Sequence, residues 1–286
     1  TTYKMAKMNL AIRGIPCDLG EKAANTFTND LHKDLRADFI MANPPFNQKD
    51  WREENELTQD SRWDGYVVPP TSNANYGWIL HMVSKLSQNG IAGFLLANGA
   101  LSGEGQELEI RKQLIENNLI EAIVILPRNL FYTTDISVTL WILNKNKKAR
   151  MVQQNGKMRK FRAREDEVLF MDLRQMGSPY EKKYVELTQE ERNKVTGTFH
   201  NWQNDNNDYQ NVPEFCYSAK KSEIVEKGYT LVPSRYIEFV NHDETADFDT
   251  TMKTLQTELT DLLKQEEESK KELLNVFKDL GYEIKL

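Results

Sequence analysis

The feature that most limits what this chain can become is a ten-residue stretch, ADFIMANPPF at 37–46, in which an apolar run stops at two consecutive prolines. Phe39, Ile40, Met41 and Ala42 have the length and character of a buried parallel strand. That strand has to end at Asn43, because prolines bring no backbone donor and hold φ near about −65°. Asn43, the Pro44 carbonyl and Phe46 then leave the strand in a stiff, preset arrangement, with Pro45 as the second stiffening residue. Since ligands of open α/β sheets bind beyond the carboxyl ends of strands, residues 43–46 mark a candidate site as well as a fold.

Those four residues suit one demanding reaction, alkylation of an exocyclic aromatic amine whose lone pair is delocalised into its ring. An Asn side-chain oxygen and a proline carbonyl can each accept one amino hydrogen, drawing electron density back onto nitrogen as it attacks. A neighbouring Phe offers a stacking face for the ring. The plain alternative is a proline-stiffened turn after a strand, for which the same residues suffice.

The text after this stretch alternates as an α/β sheet does. A long polar run, 47–75, carries Trp51, Trp63, Tyr66 and the pair Pro69 and Pro70. Its aromatics are candidates either for a base pocket or for buried anchors of an irregular loop. Asn75 can cap a helix whose Ile79, Met82, Val83 and Leu86 keep helical spacing, closing at Gly90. Residues 91–97 then read as a strand, 105–117 as a helix and 120–126 as another apolar strand, giving βαβαβ. A turn at 127–135 leads into 136–143, and so short a connection predicts an antiparallel strand at the sheet edge. Phe131 and Tyr132 lie in that turn, where aromatics also simply staple hairpins. At the start of the chain, residues 1–15 read as a helix offering Met5, Met8, Leu10 and Ile12 to a core.

Charge divides the remainder. With 286 residues, 39% hydrophobic and 28% charged, the chain can bury one good core plus an appendage. A net charge of −6 is odd for a protein gripping DNA alone, so a basic partner is implied if nucleic acid is the substrate. Locally, though, residues 145–164 hold nine Lys or Arg and no Asp or Glu. Asn155 and Gly156 there mark a hairpin turn, and Lys157, Arg159 and Lys160 are candidate phosphate contacts, against the ordinary reading of a solvated face. A strand at 167–173 and a helix start at 188–191 follow. From 247 to 280 the apolar positions Phe248, Met252, Leu255, Leu259, Leu262, Leu273, Val276 and Leu280, with Glu266 and Ser269 as polar members, keep a 4,3 heptad seam that suits one facing helix. Cys17 and Cys216 are far apart and the four histidines scattered, so neither a metal site nor a disulfide framework is expected. With no membrane-spanning run or signal pattern, the expected location is the cytoplasm.

Taken together, KMNLAIRGI (7–15), NTFTND (25–30), ADFIMANPPF, LIEAIVILPRNLFYTTDIS (119–137) and GYTLVPSRYIEFV (228–240) resemble the methylation subunit of type I restriction-modification systems, adenine-N6 DNA methyltransferases. The resemblance covers nearly the whole chain. It implies a partial class I S-adenosylmethionine-dependent methyltransferase sheet, Rossmann-like, with a β-rich extension and C-terminal helices arranged as a hairpin or coiled coil. The expected divisions are a catalytic portion at 1–145, a mixed extension at 146–246 and an assembly segment at 247–286. Asn43, Pro44, Pro45 and Phe46 would be catalytic, Asn25 would contact the cofactor adenine unless it is an ordinary loop asparagine, and Phe131 and Tyr132 would approach the target nucleotide. The family's Gly-rich cofactor loop is expected upstream of residue 1; Gly103 and Gly105 read instead as a helix-start turn. On this reading the chain alone is inactive, residues 16–27 lack a sheet neighbour and are irregular, docked elsewhere or paired with another chain, and the partners are DNA, a specificity subunit, a restriction subunit and a second methylation subunit. The alternatives are a glutamine- or RNA-methylating relative and a non-catalytic assembly module.

Overall fold

A computed structural model describes residues 2–132, 134–154, 156–181, 183–206, 208–240 and 248–279, leaving out the side chains of 154, 157 and 248–251. Among these residues the chain runs α1 (Thr2–Ile12), β1 (Ala37–Ala42), α2 (Asn75–Lys85), β2 (Leu86–Ala97), α3 (Gln106–Glu116), β3 (Ile120–Ile125) and β4 (Val138–Asn144). It continues with β5 (Arg150–Gln154), β6 (Lys157–Phe161), β7 (Glu167–Asp172), β8 (Ser178–Tyr180), β9 (Tyr184–Glu186), α4 (Gln189–Gln203), β10 (Cys216–Lys220), α5 (Lys221–Glu226) and α6 (Phe248–Asp279). Two compact units result, Thr1–Glu238 and Phe239–Leu286.

The first unit is built on a six-stranded mixed sheet in the order β1-β2-β4-β3-β7-β10. β1 and β2 are parallel, as are β3 and β7, whereas β4 is antiparallel to both its neighbours and β10 to β7. Within the span expected as a mixed extension, 146–246, β7 and β10 belong to this sheet, and the hairpins β5–β6 and β8–β9 stand outside it. One face buries Ile79, Leu80, Phe94, Ile110, Leu114, Ile123, Trp141, Phe170 and Ile224, so α2, α3 and α5 cover it. On the other face Ala122, Val124, Val138, Leu169 and Met171 pack with Trp202 of α4. The alternation along β3, β4 and β7 follows from the two-residue side-chain period of a strand.

Several local expectations change. β4 lies inside the sheet and not at its edge: Thr139 and Trp141 are fully buried on the α2 side while Val138 is buried on the other. A strand packed on both faces suits an interior position, and its two ladders satisfy backbone groups on both sides. α2 closes at Lys85 and Gly90 falls inside β2, where a Cβ would come within 2.7 Å of the Ala37 carbonyl. That glycine admits the start of β1, and the β1–β2 register shifts there. β1 is parallel but outermost, so Ile40 and Ala42 pack on the core while Phe39 and Met41 are 75% and 93% exposed. α1 buries nothing, and its Met5, Met8 and Ile12 are exposed. Residues 13–36 contain no strand, in keeping with the irregular segment expected at 16–27.

The second unit, taken by itself, is the single 32-residue helix α6 within its described part, not a hairpin of helices. Met252, Leu255, Leu259, Leu262, Leu263, Leu273 and Val276 are about half exposed along it. The Phe248 side chain and Leu280, the ends of the seam, lie outside what is described. No described helix is long and apolar enough to cross a membrane.

Candidate active site at the carboxyl ends of the parallel strands

Asn43 follows β1 directly, with Ala42 registered against Phe94 of β2. Its side chain is exposed, and among the described residues neither its amide nor the Pro44 carbonyl has a hydrogen-bond partner. Pro44 itself is buried, which anchors the turn while leaving the two acceptors unspent. Phe46 is half-buried and packs on the apolar cluster that includes Trp202 of α4, as do Leu95 and Leu140. Leu130 and Phe131, from the connection between β3 and β4, pack on the same cluster. Two candidate aromatics, Phe46 and Phe131, 85 residues apart in sequence, are thereby brought to one side of the sheet.

Tyr132 is 66% exposed, with its ring edge-on to Tyr184 at 4.8 Å. The Val185 N–H donates to the Asn129 carbonyl at 3.1 Å, so the small β8–β9 hairpin braces the loop that carries Phe131 and Tyr132. Around the same strand ends a shallow pocket of about 550 Å³ is lined by Asn98, Arg128, Ser137 and Arg174. Asn98 accepts from the Thr139 hydroxyl at 2.6 Å, and Arg174 is ion-paired with Asp172 at 2.6 Å.

The polar run 47–75 is an ordered cover held by buried anchors. Trp51 and Trp63 are each 3% exposed, and their indole N–H groups donate to the Pro70 and Leu57 carbonyls at 2.8 Å. Arg52 donates to the carbonyls of Glu53, Glu54, Glu56 and Pro69, satisfying backbone acceptors that an irregular buried segment would otherwise strand. Arg62 does the same for Thr26 and faces Nδ1 of His81 at 3.2 Å. Burial, reinforced by that guanidinium, lowers the His81 pKa to about 4, so the ring is neutral and its Nδ1 accepts.

Asn25 is exposed and its Oδ1 accepts the Phe27 N–H at 2.8 Å, an Asx turn that places Phe27 against Trp51 and Trp78. That oxygen is spent locally. The Gly103 and Gly105 pair forms the turn into α3, Gly105 having a φ of +61°. The whole β2–α3 connection, residues 98–105, carries three glycines, Gly99, Gly103 and Gly105, and its first residue Asn98 lies in the pocket at the strand ends. No described group of His, Cys, Asp or Glu suits a metal ion.

The basic stripe is largely absorbed into structure. Arg164 and Glu121 form a fully buried ion pair at 2.9 Å, and Gln203 and Asn144 also donate to that carboxylate. Lys147, 3% exposed, donates to the Ile120 and Glu167 carbonyls, and burial lowers its pKa to about 8. Arg162 pairs with Glu167 at 2.7 Å. Of the three candidate phosphate contacts, Arg159 donates to Asn204 at 3.1 Å and Lys160 pairs with Asp205 at the surface, while the Lys157 side chain lies outside what is described.

What the sequence reading missed is a set of asparagines behind the loop. Asn75 does not cap α2; Ala74 occupies that position, and the Asn75 side chain, 1% exposed, is bonded to Asn47. A signal was available, because a left-handed residue favours Asn, and Asn47, at the point where the chain must turn after Phe46, has a φ of +51°.

The N-6 DNA Methylase family model matches residues 1–245. The chain is 39% identical over 285 residues to the type I restriction enzyme HindI methylase subunit of Haemophilus influenzae, covering 99% of this chain and 60% of that protein. It is 34% identical over 285 residues to the MjaIX methylase subunit of Methanocaldococcus jannaschii, covering 98% and 48%. The chain thus spans roughly half the length of the curated relatives it matches. Among solved structures, the type I restriction-modification methyltransferase subunit from Streptococcus thermophilus superposes with a TM-score of 0.69 at 27% identity, covering 84% of this chain and 46% of that one. The mixed sheet is that of S-adenosylmethionine-dependent methyltransferases, and the chain belongs to the N-6 DNA methylase family.

Proposed function

We propose that this chain supplies the acceptor-activating side of a site-specific adenine-N6 DNA methyltransferase, the modification subunit of a type I restriction-modification complex. The single observation that carries the reading is the pair of unspent acceptors, Asn43 Oδ1 and the Pro44 carbonyl, at a strand end beside Phe46. An adenine turned out of its duplex would stack on Phe46 and give one amino hydrogen to each acceptor, with Phe131 and Tyr132 bracing it from the β3–β4 loop. Both acceptors gain strength as positive charge develops on the nitrogen, which favours the transition state over the ground state. S-adenosylmethionine, the donor implied by the fold, supplies an electrophilic methyl when bound. Residues 1–145 carry this chemistry, 146–246 extend the sheet and offer Lys157, Arg159 and Lys160 to the DNA backbone, and 247–286 serve assembly.

The test is Asn43→Ala in the full-length parent. Loss of a preorganised acceptor lowers turnover by about two to three orders of magnitude with little change in folding. A variant that methylates duplex DNA at the parent rate but melts much lower makes this a turn and nothing more. Methylation of glutamine peptides or RNA in preference to duplex DNA would move the assignment to a relative with the same acceptor chemistry.

For partners, the proposal is DNA, specificity and restriction subunits and a second methylation subunit, with the specificity subunit meeting the apolar seam of α6. Its motive is the half-exposed row from Met252 to Val276, since a narrow stripe suits one facing helix. Leu259→Asp with Leu262→Asp should abolish assembly while leaving the melting temperature of the chain close to the parent's; a collapse of the fold would make the seam a core element.

A further inference from the structure

We infer that Asn47 and Asn75 are positioning residues for the catalytic loop, an amide clasp that fixes where the Asn43 and Pro44 acceptors point; the inference rests on the reading of residues 43–46 as the acceptor site. The Asn47 N–H donates to Asn75 Oδ1 at 3.0 Å, and Asn75 Nδ2 donates back to Asn47 Oδ1 at 2.9 Å. Because a peptide N–H can only donate, the Asn75 atom facing it must be oxygen, and its nitrogen is therefore the atom facing Asn47. Asn73 Nδ2 adds a bond to the same Asn47 oxygen at 3.3 Å, and its own Oδ1 accepts the Asn75 N–H at 2.9 Å. The Ala74 N–H donates to the Gln48 carbonyl at 2.9 Å, closing the join.

The loop is consequently fixed at both ends. At one end Ala42 sits in the β1–β2 ladder; at the other Asn47 is bound to the first residue of α2, whose Tyr76 and Ile79 are fully buried. Between these points stand two prolines with little torsional freedom. An interaction that holds residue 47 therefore sets the direction of the acceptors only a few residues away. The Asn43 side chain itself has no hydrogen-bond partner among the described residues. Asn47 also needs its positive φ of +51°, which Asn, Asp and Gly adopt readily.

That last point gives a discriminating experiment in the assembled full-length enzyme. Asn47→Gly keeps the backbone conformation and deletes the side-chain acceptor; Asn47→Asp keeps both, because every bond to the Asn47 side chain is received by oxygen. The expected result is a single-turnover methylation rate about 10- to 100-fold lower for Asn47→Gly, with DNA affinity and the cofactor KM little changed, and recovery to within about threefold of the parent in Asn47→Asp. Equal rates for Asn47→Gly and the parent, or an Asp variant as slow as the Gly one, overturn the clasp. Should Asn47→Gly melt far below the parent, Asn75→Asp decides: it keeps the acceptor for the Asn47 N–H but sets oxygen against oxygen, and a folded variant at the parent rate likewise overturns it. Asn43→Ala, measured alongside, separates the two readings. If it is slow while the clasp variants are fast, only the clasp fails; if it too is fast, the acceptor site fails.

Discussion

The loop at 43–46 and the basic stripe at 145–164 both stand out in the sequence as polar stretches beside strands, and they meet opposite ends in the structure. In the loop, the acceptors that would do chemistry are left unbonded while their supports, Pro44 and Asn75, are buried. In the stripe, the charges themselves are buried or paired: Arg164 against Glu121, Lys147 on two carbonyls, Arg162 on Glu167. Acceptors left free on a satisfied frame are what the proposed site requires, whereas buried charges that are fully paired join elements together. Here the joint ties β3, the segment after β6 and α4 together through one carboxylate.

The largest way to break this comparison is to empty the joint. Glu121→Leu leaves Arg164 buried without a counter-charge, and its Nη2 already lacks a partner among the described residues. Removing one member of such a pair costs about 3–5 kcal/mol, read as a lower urea midpoint, whereas Glu121→Leu with Arg164→Met recovers most of the loss. A single variant as stable as the parent would mean the pair is no joint. The smaller effect concerns the outer stripe. Lys160→Ala should barely move the melting temperature, since its pair with Asp205 is at the surface, whereas Arg159→Ala also gives up a bond to Asn204 and a place over the Phe161 ring. If these residues touch phosphates, the slope of log affinity against log salt falls by about one for each phosphate left without its cation; an unchanged slope leaves the stripe a structural surface only.

How much was legible varies with the range of the interaction. The strand stop at Asn43, the α3 turn at Gly105 and the Thr188–Glu191 capping box are local, and each lies where the sequence indicates. The interior place of β4 was hidden because its short connection specifies only the pairing with β3, whereas β2, its other neighbour, comes from much earlier in the chain. The end of α2 was hidden because nothing local forbids helix from Lys85 to Gly90; the approach of Ala37 decides it.

The sequence by itself determined the family, the stiff acceptor loop and the periodic elements, since these depend on residue types within a few positions of one another. Only the tertiary structure decided which polar groups remain free. Asn47 meets Asn75 across 28 positions, Glu121 meets Arg164 across 43 and Gln203 across 82. Whether a buried donor or charge finds its partner is a question of packing at such separations, and no local pattern encodes the answer.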